Sequence, residues 1–235
     1  MATSHIVKSY DLELTAIVET IARMGSLVEQ QFAAAIQAIH ARDNEIAGRA
    51  FASDTAIDEL EHSLNQLALK VLALRQPMAS DLRLIIGSMK IARDLERMGD
   101  YAANLAKRAR NLNVSERMAV TSTFLRMANL VAPVLRDVID AYTQEDVAKA
   151  DAAYASDDAI DDAYNALVED LIRYMQAHPE HIKTCTHLLF MAKNMERIGD
   201  RATNVAETVH FIVSGALPAV RKKKALPPLT ETAAP

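Results

Sequence analysis

Residues 92–106, ARDLERMGDYAANLA, recur as residues 192–206, AKNMERIGDRATNVA. Of the 15 aligned positions 8 are identical: Ala92, Glu96, Arg97, Gly99, Asp100, Ala102, Asn104 and Ala106 match the residues 100 further on. Chance would give about one match, so the chain repeats itself, and its fold must be built from two copies of one unit. A second echo extends the repeat. Residues 52–59, ASDTAIDE, return as residues 155–162, ASDDAIDD, at an offset of 103.

Each copy reads as helix. Leu95, Met98, Ala102 and Leu105 recur at helical spacing, as do Met195, Ile198, Ala202 and Val205. Glycine is costly inside a helix, so Gly99 and Gly199 predict that another backbone comes close there. The same period continues along the chain. Leu14, Ile17, Ile21, Met24 and Phe32 mark a first helix from Asp11 to Ala41, and Asp43 caps a second that runs to Arg75. Gln76-Pro77-Met78 breaks it, and Ser80 or Asp81 caps the third. After Asn111-Leu112-Asn113 the plan restarts, with breaks at residues 143–146 and at His178-Pro179, and with Pro133 inside the fourth helix as a candidate kink. Short breaks make neighbours antiparallel. The expectation is an all-α fold of six long helices: a first three-helix bundle over 8–112 and a second over 115–215. A disordered basic, proline-containing tail then runs over 216–235.

Composition narrows the function. Hydrophobic residues make up 50 % of 235, enough for a large core, and the net charge of -5 gives no general pull toward nucleic acid. One cysteine, Cys185, excludes an internal disulfide. No N-terminal apolar segment or membrane span is apparent, so the expected location is cytoplasmic. There is no phosphate loop, dinucleotide fingerprint or nucleophile elbow, and no enzyme is expected. Arg221-Lys222-Lys223-Lys224 in the tail is a candidate contact for an acidic lipid surface or partner.

The acids carry the chemistry. Glu96 and Asp100 stand four apart on one helix face, as do Glu196 and Asp200, Asp54 and Asp58, and Asp157 and Asp161. Asp58 and Glu96 are equidistant from Pro77, and so are Asp54 and Asp100. In the second half the same four positions centre between His178 and Pro179. Folding each hairpin at its proline therefore brings four carboxylates to one level. Such a cluster needs a cation or protons. Oxygen donors suit magnesium, calcium, manganese or ferric iron, with zinc less suited because no His or Cys repeats. Asn104 and Asn204 are candidate additional oxygen ligands. Arg97 and Arg197 are the competing explanation, as internal salt-bridge partners. Glu59-x-x-His62 and Glu207-x-x-His210 have the spacing of di-iron bundles but do not share the repeat, which keeps a metal-storage or redox carboxylate bundle as the rival reading.

Three stretches in combination resemble the PhoU family: residues 75–83, RQPMASDLR; residues 95–100, LERMGD; and residues 195–201, MERIGDR. Residues 24–31, MGSLVEQQ, add to it. The resemblance spans about Asp11 to Gly215. It implies tandem three-helix bundles and a non-enzymatic negative regulator of phosphate uptake and the phosphate-starvation response. That regulator links the ATP-binding subunit of the phosphate ABC transporter to a phosphate-sensing histidine kinase. It further implies homodimerisation, peripheral membrane contact and metal clusters on the Glu/Asp-x-x-x-Asp pairs. Tyr101 departs from the fuller motif, where Arg201 stands in the second copy.

Overall fold

A computed structural model describes residues 8–113, 118 and 120–216, and among these every regular element is a helix. The order is α1 (Lys8–Ala41), α2 (Asn44–Ala52), α3 (Asp54–Arg75), α4 (Ala79–Asn113), α5 (Val120–Gln144), α6 (Val147–Ala155), α7 (Asp157–Ala177), a 3-10 turn (Pro179–His181) and α8 (Ile182–Ser214). The six expected rods are present, and two of them are broken. The second bends at Ser53 and the fifth at Ser156. Both serines keep near-helical dihedrals while their hydroxyls bond back to Ala50 O and Ala152 O. Such back-bonding bends a helix without ending it.

The start signals are met unequally. Asp43 Oδ1 accepts from the amides of Glu45 and Ile46 at 2.7 and 3.0 Å, and Asp146 Oδ1 accepts from Lys149 N at 3.0 Å. These are N-caps that satisfy otherwise orphaned donors. Ser80 and Asp81 were expected as caps, but α4 already begins at Ala79, and Asp81 instead takes the Tyr10 hydroxyl at 2.9 Å. Pro133 lies inside α5, which continues through it. The tail from Leu217 onward, with its basic run, lies outside the described residues.

Helices α1, α3 and α4 pack together, as do α5, α7 and α8, with α2 on α4 and α6 on α8. One hydrophobic core runs through both sets, from Ile17, Met24 and Phe32 to Phe124, Leu188 and Met195. The two repeat-bearing helices, α4 and α8, lie antiparallel at the centre. Gly87 faces Ile212, Asp94 meets Arg201 at 3.1 Å, and Arg108 meets His187 at 3.3 Å. No described helix is long and apolar enough to cross a membrane.

Close packing makes two glycines tests of this arrangement. A Cβ on Gly25 would sit 2.5 Å from the Ile139 side chain, whereas a Cβ on Gly48 meets nothing within 4 Å. Gly48→Ala should stabilise by about 1 kcal/mol through helix propensity. Gly25→Ala should instead destabilise by about 1–2 kcal/mol, because stiff Ile139 must move. Urea unfolding of the two variants checks this.

A second test concerns Asp94. Arg201→Ala leaves that buried carboxylate without its main partner and should cost about 1–3 kcal/mol, discounted because Arg201 is partly solvated. Adding Asp94→Asn should recover most of the loss, since the repeat already places Asn194 at the equivalent site. Thermal melts of single and double variants decide it.

Candidate functional site

Across the hairpin α3–α4, Asp100 lies near enough to act on the carboxyls of Asp54, Asp58 and Glu96. Asp54 opens α3 immediately after the Ser53 bend, and it raises no steric conflict because the facing residue is Gly99. A Cβ there would lie 2.9 Å from Ile57 Cδ1, 3.1 Å from Asp54 Oδ1 and 3.4 Å from Gln31 Oε1. The glycine therefore admits side chains from α3 and α1, not the neighbouring backbone that the sequence suggests. In the second half a Cβ on Gly199 would lie 3.1 Å from Ile160 Cδ1 and 3.6 Å from Asp157 Oδ1. The register across the crease is the same in both copies.

Burial first, and mutual repulsion second, disfavour the ionised form of these groups. Burial raises the carboxyls of Asp54 and Asp58 above the ordinary range, and the nearby Asp100 charge raises both further. Glu96 is raised by burial first, then by Asp100, with Asp58 a smaller contributor. Glu196 is raised by burial, with Asp200 and Asp161 adding to it against the Lys193 hydrogen bond. One oxygen of each repeat glutamate, Glu96 Oε2 and Glu196 Oε2, is buried without a hydrogen-bond donor. Arg97 Nε approaches Glu96 Oε2 to 3.4 Å as an ion pair outside hydrogen-bond geometry.

The two clusters differ in their cations. Arg97 bridges Glu96 and also donates to Asp100 Oδ2 at 3.1 Å, as the salt-bridge reading expects. Arg197 does not do this; its guanidinium lies over the Tyr101 ring at 5.7 Å. Lys193 serves instead, with Nζ 2.6 Å from Glu196 Oε1. The departure at Tyr101 and Arg201 belongs to the α4–α8 contact. There Arg201 reaches Asp94, whose carboxyl is raised by burial and lowered again by Arg201 and Asn204.

Some expected ligands point elsewhere. Asn104 Nδ2 donates to Asp100 O at 2.9 Å, and Asn204 faces Asp94, so neither amide enters the acid clusters. His62 is bonded to Gln66, and His210 to Ser214 and Ala216 O, away from Glu59 and Glu207. Among the described residues no group of three or more His, Cys, Asp or Glu converges closely enough to close on a metal ion. Sequence reasoning missed Gln31, which is 2 % exposed and donates to both Asp54 Oδ1 and Ala50 O at 3.2 Å. Its partner lies 23 residues away with no repeat counterpart, so no local pattern marks it. Lys193, three before Glu196, was findable as a same-face pair.

Fold and crease together define a two-copy helical bundle with acidic hairpins, and comparison with known proteins is consistent with this. The PhoU domain profile matches residues 21–109 and 124–209. A phosphate-specific transport system accessory protein PhoU homolog from Caulobacter vibrioides is 45% identical over 214 residues, 91% of this chain and 93% of that one. The homolog from Xylella fastidiosa is 44% identical over 211 residues, covering 90% and 89%. The crystal structure of PhoU from Pseudomonas aeruginosa superposes with a TM-score of 0.85 at 32% identity, covering 88% of this chain and 100% of that one. That of the phosphate transport system regulatory protein PhoU from Streptococcus pneumoniae gives 0.83 at 29%, covering 90% and 100%. The chain belongs to the PhoU family.

The raised carboxyls set a pH dependence. A carboxyl raised in the fold favours folding in its protonated form. That contribution is present below the ordinary carboxylate range and is lost as pH rises through the raised values. Metal-free protein should therefore melt higher as pH falls from neutrality toward the ordinary carboxylate range. Glu13, lowered by its Arg75 hydrogen bond, acts oppositely and limits the gain below that range. Calorimetry across this window should show the slope, and Glu96→Gln with Glu196→Gln should flatten it.

Proposed function

We propose that this protein is a negative regulator of phosphate uptake and of the phosphate-starvation response. It acts as a docking adaptor between the ATP-binding subunit of the phosphate ABC transporter and a phosphate-sensing histidine kinase. The observation that carries this reading is the family match in both repeats, together with relatives named as accessory proteins of phosphate-specific transport. The fold suits the role. Long parallel-sided helices offer extended faces to two partners, and no nucleophile stands beside a base in the acidic creases.

A cation at each crease belongs to the same proposal. Asp54, Asp58, Glu96 and Asp100 would hold one, and Asp157, Asp161, Glu196 and Asp200 another, once these acids, which do not close on an ion as they stand, draw in around it. The donor set is all oxygen, which fits a hard ion, and the orphaned oxygens of Glu96 and Glu196 lack donors that an ion would replace. Such an ion would relieve the repulsion and brace α3 on α4 and α7 on α8. The metal-storage or redox reading has less support, since both Glu-x-x-His histidines are engaged away from the acids.

Deletion should switch on phosphate-starvation genes at high phosphate, read by transcript levels; unchanged expression would sink the adaptor. Pull-downs at high and low phosphate should recover the transporter ATPase and the kinase. Elemental analysis of purified protein should find metal that Glu96→Ala with Glu196→Ala abolishes, and no turnover of oxygen or peroxide.

A further inference from the structure

One face of the α4–α8 contact is lined with cations. Lys90 Nζ lies 5.8 Å from the centre of the Phe211 ring, Arg108 Cζ 4.4 Å from that of Phe190, and Arg197 Cζ 5.7 Å from that of Tyr101. Each pair joins α4 to α8, so the three mark out a seam along the two antiparallel helices. Lys90, Arg93, Arg97 and Tyr101 follow at intervals of three or four and share one face of α4. Lys90, Arg93 and Arg197 are exposed, and Arg108 is half-buried.

These cations lack acids. Among the described residues, Lys90, Arg93, Arg108 and Arg197 form no ion pair, whereas Arg97 is held by Glu96 and Asp100, and Arg201 by Asp94. Arg93 acts on the Asp94 and Glu96 carboxyls only through its charge. Four such cations on one face stand out in a chain of net charge -5. Three of them lean on rings. A cation over an aromatic face is attracted to it by about 0.5–1 kcal/mol at exposed sites, which holds the long side chain in place. Cations held in advance lose less freedom when an anion arrives. Phe190, 51% exposed beside Arg108, adds an apolar anchor.

The surroundings limit the breadth of the occupant. Helix α3 packs on α4 but not on α8, and α7 packs on α8 but not on α4. The creases therefore border the seam, with Glu96 and Asp100 along one edge and Glu196 and Asp200 along the other. A nucleic acid or a lipid sheet would cover all three strips and meet carboxylates as well as cations. A single helix is about 10–12 Å across and fits over a helix pair whose axes stand about 8–10 Å apart, so it meets the cations alone. From Lys90 to Arg108 the seam runs about 27 Å, or about five helical turns.

We propose that the α4–α8 seam docks an acidic helix of a protein partner. Asp and Glu side chains three or four residues apart on that helix meet Lys90, Arg93, Arg197 and Arg108, and an apolar side chain near one end covers Phe190. Which partner supplies the helix rests on the adaptor reading above; whether the seam binds one does not.

The probe is a labelled, Ala-rich peptide of about 20 residues with Glu along one face and Leu at each end, and its control carries Gln for Glu. Full-length protein should bind the Glu peptide at low salt and not the Gln peptide, with affinity falling as salt rises. Lys90→Gln, Arg93→Gln and Arg197→Gln together should weaken binding about tenfold. Phe190→Ala should weaken it about threefold. Arg126→Gln, on an exposed cation of α5 away from the seam, should change nothing. Circular dichroism should show every variant as helical as wild type. No binding of the Glu peptide, or equal binding by the triple variant, would overturn the proposal. So would tighter binding of an oligonucleotide of equal charge, which would assign the seam to nucleic acid. Capture of the transporter ATPase and the kinase from lysate separates the two readings. Wild type that captures neither sinks the adaptor and leaves the peptide result to decide the seam. A triple variant that captures both as well as wild type does sinks the seam and leaves the adaptor standing.

Discussion

The close approach of α3 to α4, and of α7 to α8, governs this molecule. At Gly99 and Gly199 there is no side chain on the motif helix, so Ile57 and Ile160 seat themselves in the gap. Burying those isoleucines fixes the rotation of each hairpin about its long axis. That rotation in turn aims Asp54 and Asp157 at the crease, and the acids four residues apart follow. The repulsion among the carboxylates is a consequence of apolar packing, which stabilises by about 1.5–3 kcal/mol per buried side chain. The hydrophobic contact is strong enough to hold like charges near one another.

The two copies have diverged where they meet. Asp94 and Arg201 join α4 to α8 across the middle, while the same positions in the other copy are Asn194 and Tyr101. An exact twofold would have paired each contact with its mirror. Here the Asp94–Arg201 pair has no mirror at Asn194 and Tyr101, and Arg197 stacks on Tyr101 beside it. The same divergence reaches the creases. The first cluster carries its own Arg97 and the buried Gln31, and the second relies on Lys193. The two creases thus differ in charge balance.

The length of the helices separates these features in space. Clusters of acids lie at the creases, and the ion pair lies at the centre. One continuous core joins both repeats.

Much was legible in the chain itself. The repeat, the helical period, the N-cap at Asp43 and the proline-centred pairing of acids follow from local spacing, which backbone geometry converts directly into position. The breaks at Ser53 and Ser156 were not legible, because a hydroxyl that bends a helix and one that merely decorates it look alike in sequence. Nor could sequence show that side chains fill the space at Gly99, that Asn204 turns to Asp94, or that Gln31 reaches Asp54 from 23 residues away. Those depend on the rotation of each helix about its axis. Local periodicity says which face is apolar, but only packing against α1 and across the α4–α8 contact decides what each polar side chain meets.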